Sequence, residues 1–239
     1  MRFNHIFKLT NENETHREYK CDKVNINIDF ISGSALRVAV FNDNAEMLPT
    51  FTVNPNNNLS SLGRSRLSVD GFDCVAPVVE KFENKEKFVL DCGVTVDLDL
   101  NNFILSYSKE SKLLFADRAP LAYNFEGEFG NGSYHYITRE DDEHIFGLGD
   151  KSGLINKAGQ VYRIETADSM GFDAEKTDPL YKHVPFYICE NSVGAYGIYY
   201  DTTDTSFVDL GREINNYYCH FKYFKTDDDC LVYYVFFGS

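Results

Sequence analysis

Four aspartates, Asp150, Asp168, Asp173 and Asp178, fall within the run His144 to Ile188, HIFGLGDKSGLINKAGQVYRIETADSMGFDAEKTDPLYKHVPFYI, interleaved with Gly147, Gly149, Gly153, Gly159 and Gly171. Each glycine weakens a strand by giving up side-chain packing and adding chain entropy, so these mark bends or close backbone approaches. A carboxylate on a loop over a rigid scaffold is where ligand contacts gather. Two such groups could also act as acid and base in glycoside hydrolysis, a reaction that requires carboxyls about 5 to 9.5 Å apart. Spacing along an irregular loop sets no such distance. Asp and Gly are also the common residues of turns, and from spacing alone both readings stand.

Other constellations carry less. Gly147-Leu148-Gly149-Asp150-Lys151-Ser152-Gly153 approaches a phosphate cradle, but the dinucleotide fingerprint needs its third glycine at Ser152 and a helix following a strand. The six histidines, His5, His16, His135, His144, His183 and His220, lack the paired spacing that converges ligands on zinc. Cys219 and His220 are adjacent, so in a strand they point to opposite faces. Asp227-Asp228-Asp229 has neither the alternating donors nor the glycine of a calcium loop and reads as a hairpin turn. No GxSxG nucleophile is present. No metal and no cofactor is therefore expected.

The composition narrows the class further. A formal net charge of −14 argues against nucleic acid and anionic membrane surfaces, because both demand clustered Lys and Arg. The six cysteines, Cys21, Cys74, Cys92, Cys189, Cys219 and Cys230, show no CxxC spacing and read as reduced core residues of a cytoplasmic protein. The first residues hold no apolar core of a secretory signal, and no apolar stretch reaches the roughly 20 residues that span a bilayer.

The elements that must position the central run are strands. Val24, Ile26, Ile28 and Phe30 alternate with polar residues after a polar lead-in, and Leu36 to Phe41 follows Gly33. Residues 42–61 read as a long loop flanking a short Thr50 to Val53 strand. Val78 to Phe82 and Phe88 to Cys92 come next. Val94 to Leu100 and Phe103 to Tyr107, joined at Asn101-Asn102, give the strongest hairpin pattern, extended to Leu113 to Phe115. Beyond the central run, Ala195 to Tyr200, Ser206 to Leu210, Tyr217 to Tyr223 and Leu231 to Phe237 are strand-like. No apolar period of 3.6 persists over a dozen residues, so helices should be few and short. The expectation is an all-β chain, residues 1–239 forming a single antiparallel β-sandwich.

Against that frame the central run resembles the N-terminal domain of glycoside hydrolase family 31, the α-glucosidases and α-xylosidases. The resemblance is carried by Phe146 to Lys151, Gly153, Ile155-Asn156, Tyr162, Asp168, Gly171-Phe172-Asp173, Asp178 to Lys182 and Val184-Pro185-Phe186. It continues more weakly through Gly197 to Asp201, Phe207 to Gly211 and Tyr234 to Gly238. It departs at Ile164-Glu165-Thr166-Ala167, where the family often has an aromatic residue and an asparagine; this removes a stacking ring and an amide.

The resemblance implies a galactose-mutarotase-like sandwich packed on a (β/α)8 barrel that follows residue 239. In the family both catalytic carboxylates are aspartates of that barrel, so no catalytic residue is expected in this chain and the fragment alone is expected to be inactive. The family's pocket-lining aspartate falls on Asp168, flanked by Ser169, as a substrate-binding residue. Asp150-Lys151 reads as a local pair, Tyr181 and Phe186 as core, and Asp178 before Pro179 as a turn. The implied partners are the barrel of the same polypeptide and an oligosaccharide. Two other classes remain open: a free-standing carbohydrate-binding module, against which the absence of Trp counts, and a mutarotase-like epimerase with its own acid/base pair.

Overall fold

Alternation of apolar and polar residues becomes strands, and no helix forms among the described residues. The computed structural model describes residues 5–55, 63–124, 132–212, 214–215 and 219–238. In chain order the strands are β1 (Lys8–Glu12), β2 (His16–Cys21), β3 (Val24–Ser32), β4 (Ala35–Asn42), β5 (Val78–Lys81), β6 (Lys85–Val89), β7 (Val94–Asp99), β8 (Ile104–Lys109) and β9 (Lys112–Ala116). They continue as β10 (Ser133–Thr138), β11 (His144–Gly147), β12 (Val161–Ile164), β13 (Phe186–Glu190), β14 (Ala195–Tyr200), β15 (Ser206–Asp209), β16 (Ile214–Asn215), β17 (Cys219–Thr226) and β18 (Cys230–Phe237).

All pairings are antiparallel. An eight-stranded sheet has the order β1-β2-β3-β4-β18-β14-β13-β11, and two five-stranded sheets face it: β5-β6-β7-β8-β9, and β10-β17-β15-β12 with β16 on β17. Isolated bridges Asp117↔Ile137 and Tyr123↔His135 join the two smaller sheets. The all-β sandwich expected from the sequence is the fold observed.

Aromatic rings fill the space between the layers. Phe30 of β3 meets Phe88 of β6 at 5.1 Å, Phe115 of β9 stacks on Tyr196 of β14 at 3.9 Å, and Tyr200 of β14 stacks on Phe224 of β17 at 3.7 Å. Offset and edge contacts of this kind add about 0.5–1.5 kcal/mol per pair beyond area burial. Two polar clusters taken inside are closely paired. Buried Asp117 accepts from the Leu105 N–H and the Tyr123 hydroxyl, each at 3.0 Å, and lies 2.9 Å from His135 Nε2. Buried Lys222 donates to both Glu143 oxygens at 2.6 Å and to the Tyr196 hydroxyl at 2.7 Å.

The outer face of the large sheet is also covered over β3, β4 and β18. There Ile31, Ala35, Ala39, Val232 and Tyr234 pack under Met47, Val53, Leu67 and Phe72 of the 43–77 loop. Arg37 of β4 fastens that loop: its guanidinium bonds Asp29 Oδ2 at 2.7 Å and donates to the carbonyls of Arg66, Leu67 and Ser68 at 2.7 to 2.8 Å.

Three local expectations need correction. The polar lead-in forms β1 and β2, because β2 buries Arg17 and Tyr19 rather than an apolar row. The strand expected at Phe88 to Cys92 runs Lys85–Val89 instead, since Leu90 N–H bonds back to Val94 O in a turn closed by Gly93. The Thr50 to Val53 strand is a single bridge, Thr50↔Arg64.

Candidate functional site

The central run forms the connections β11–β12 and β12–β13, with β11 and β12 the edge strands of two different sheets. It can pass between them because Gly147 has φ 122°, and a Cβ on it would sit 2.6 Å from Phe186 O. Only glycine meets both demands. The next residue, buried Leu148, donates its N–H to Phe186 O at 2.7 Å, which holds the turn against β13.

The two connections are stitched to each other. Lys151 Nζ donates to Asp178 Oδ1 at 3.0 Å and to Arg163 O at 2.6 Å, while Asp178 Oδ2 accepts from Arg163 N–H at 2.6 Å. Gly153 N–H bonds Ala174 O at 2.9 Å, and Asp150 pairs with Lys182 at 2.9 Å. Lys157 donates to Ser152 O at 3.0 Å and lies 5.2 Å from the Tyr162 ring centroid. Burial, then the neighbouring Lys151 charge, lowers the Lys157 pKa.

Asp150-Lys151 is therefore not a local pair. Each residue takes its partner from the far connection, because that exchange ties the two loops together. Tyr181 is exposed rather than core and Phe186 is half-buried, while Asp178 is a clamp as well as a turn residue.

Of the four aspartates, three are used within the loops. Asp150 holds Lys182, Asp173 Oδ1 accepts from Glu175 N–H at 2.8 Å, and Asp178 closes the clamp. Asp168 is exposed, and among the described residues its carboxylate has no partner. Its neighbour Ser169 is half-buried and donates its hydroxyl to Pro179 O at 3.0 Å, propping the loop under Asp168. Thr166, two residues before, lines a cleft of about 460 Å³ with Thr52, His183, Val184, Pro185, Tyr199, Thr202 and Thr203. No linear pattern marks His183 or Thr52 as neighbours of this loop; they meet because the 43–77 loop folds over the sheet. Beneath them Asp201 is buried and accepts from Thr50 Oγ1 at 2.9 Å; burial raises its pKa. Among the described residues, no group of three or more His, Cys, Asp or Glu side chains could hold a metal ion.

Fold and loop together define a class: an antiparallel double-layered β-sandwich that presents the unpaired Asp168 carboxylate on a braced loop. The pattern of the glycosyl hydrolase 31 N-terminal galactose mutarotase-like domain matches residues 25–209, and the chain belongs to that family. A curated relative, alpha-glucosidase 2 of Bacillus thermoamyloliquefaciens, is 26% identical over 133 residues, which is 55% of this chain and 16% of that protein. Among solved structures, the Flavobacterium johnsoniae family 31 dextranase complexed with isomaltotriose superposes with a TM-score of 0.75 at 21% identity, covering 98% of this chain and 27% of its own. The alpha-1,4-glucan lyase of Gracilariopsis lemaneiformis superposes with a TM-score of 0.74 at 11% identity, covering 98% and 28%. These two likenesses show the fold, and the chain spans less than a third of either protein.

Proposed function

We propose that this chain is the non-catalytic N-terminal sandwich of a retaining family 31 α-glycosidase, an α-glucosidase that removes terminal α-linked glucose from oligosaccharides. The catalytic barrel follows in the same polypeptide, and the loop around Asp168 is lent to its sugar pocket. One observation carries the reading: Asp168 is the single aspartate of the four left without an internal partner among the described residues. A free ionised carboxylate accepts two or more hydroxyl hydrogen bonds, which suits a sugar. The alpha-glucosidase relative supports the substrate class. The free cysteines Cys21, Cys74, Cys92, Cys189 and Cys230 support a cytoplasmic setting.

The test is a product assay on the full-length polypeptide with maltose, isomaltose and an aryl α-glucoside. Release of glucose, initially as the α-anomer, is expected. Turnover of none of the three substrates contradicts the proposal, and accelerated anomerisation of free glucose without hydrolysis would assign an epimerase instead.

A further inference from the structure

A groove lies on the outer face of the β5–β9 sheet, and no residue of the loop carrying Asp168 lines it. Val96, Leu98 and Leu105 are buried in the core, so their neighbours Asp97, Asp99, Ile104 and Ser106 point outward. Two register rows cross the groove. Lys87, Asp97 and Ser106 are successive partners along one, and Lys85, Asp99 and Ile104 along the other. Phe82, whose N–H bonds Lys85 O at 2.8 Å, stands at the far end of the second row with its side chain 60% exposed. The charges between are loosely held. Lys85 Nζ is 3.7 Å from Asp99 Oδ2 and Lys87 Nζ is 3.5 Å from Glu80 Oε2, both longer than the about 2.7–2.9 Å of a charge-assisted hydrogen bond. Among the described residues the side chains of Asp97 and Ser106 have no hydrogen-bond or ion-pair partner.

We propose that this groove is a second carbohydrate site, which holds one hexose ring of an α-glucan chain apart from the loop that carries Asp168. The choice of an α-glucan rests on the proposed glycosidase reading, whereas the groove's own chemistry selects a neutral polyhydroxy ligand. Lysine and aspartate alternate across both rows, so an anion meets Asp97 and Asp99, and a cation meets Lys85 and Lys87. A hydroxyl both donates and accepts, and a sugar therefore satisfies carboxylate and ammonium together. The open Phe82 ring supplies the apolar surface on which the C–H face of a pyranose packs, and ligand sites combine such surface with a few placed polar groups. At about 250 Å³ the groove is smaller than the roughly 300–1,000 Å³ of sites that enclose a whole small ligand, which suits one ring of a longer chain. Holding a chain here raises the effective concentration of its ends for the same molecule.

Native gels cast with amylopectin or with dextran test the site on the full-length protein, against lanes free of polysaccharide. Wild type should be retarded by at least one of the two. Phe82→Ala should raise the apparent Kd for that polysaccharide at least about fivefold and Asp97→Asn at least about threefold, while Asp168→Ala is retarded as wild type is. Phe82 and Asp97 are both exposed, so the groove variants should melt within about 2 °C of wild type.

Free migration of wild type in both gels overturns the inference, as does equal retardation of wild type and the two groove variants. So does a sedimentation coefficient that changes on Phe82→Ala without added sugar, which would give the groove to a second copy. Retardation lost in Asp168→Ala alone assigns the binding to the pocket; it removes the groove and keeps the glycosidase reading. Retardation lost in Phe82→Ala, in a protein whose wild type turns over no α-glucoside, keeps the groove and removes the glycosidase reading.

Discussion

Lys151 and Asp178, 27 positions apart, form one largely buried ion pair that joins the β11–β12 connection to the loop carrying Asp168. The Lys151 Nζ also takes Arg163 O, and Asp178 takes Arg163 N–H, so the end of β12 and the return toward β13 close on a single point.

Removing the cation leaves Asp178 partly buried without its charge partner. Lys151→Met should cost about 2 to 3 kcal/mol, below the figure of about 3–5 kcal/mol for a fully buried broken pair because Asp178 retains some solvent contact. Urea unfolding reads the loss. Limited proteolysis should show faster cleavage between residues 165 and 177, and an unchanged cleavage rate would show that the clamp does not hold the loop.

A second pair tests the core behind the site. Lys222→Met strands the Glu143 carboxylate inside the sandwich and should cost about 3 to 5 kcal/mol. Adding Glu143→Gln should recover a large part of that in the same denaturation assay, because the remaining penalty is the unpaired charge. The Cys189 thiol beside this pair is pushed up to about 12 by burial and should stay unreactive to maleimide in the native protein.

Gly147 fixes the entry to the site. Gly147→Ala puts a Cβ 2.6 Å from Phe186 O at a φ of 122°. It should lower stability by more than about 1 kcal/mol, since alanine is strained wherever φ is positive. Wild-type thermal stability in this variant would show that the turn can relax.

His16 makes stability depend on pH. Its Nδ1 lies 2.6 Å from Asp29 Oδ1, and this hydrogen bond, with Glu18 adding to it, raises its pKa. A histidine held protonated by folding contributes fully below its unfolded pKa and loses that contribution as pH climbs through the raised value. The wild-type midpoint should therefore fall, relative to His16→Asn, as pH rises above about 6.5. Parallel pH profiles for the two proteins would contradict the pairing.

Strands that keep a clean apolar row were legible from sequence. Val94, Val96 and Leu98 all face the core of β7, and their alternation gave both strand and face. Strand β2 was hidden because its inward residues include Arg17, whose guanidinium bonds the carbonyls of Asn13 and His16. Strand β6 was displaced for a similar reason: Glu86 is buried to receive the Tyr19 hydroxyl at 2.7 Å from the other sheet. Charged residues buried against hydrogen-bond partners break the period that marks a strand.

The four aspartates of the central run were equivalent by spacing, and only the family resemblance separated Asp168. The physical distinction lies in their partners: fold closure brings Lys182 to Asp150 and Lys151 to Asp178, while Asp173 takes the nearby Glu175 backbone N–H. Residues 56–61 of the expected 42–61 loop, residues 125–131, and residues 217–218 at the start of the expected Tyr217 to Tyr223 strand lie outside the described residues.

The central claim is that Asp168 reaches a sugar bound chiefly by other parts of the same polypeptide. Steady-state kinetics of full-length Asp168→Ala and Asp168→Asn on two α-glucosides with different leaving groups test it most directly. Loss of one charge-assisted hydrogen bond, worth about 1.5–3 kcal/mol, should raise KM by roughly 10- to 150-fold for the substrate whose leaving group it contacts, with kcat less affected. Wild-type KM and kcat for both variants on both substrates would contradict the claim.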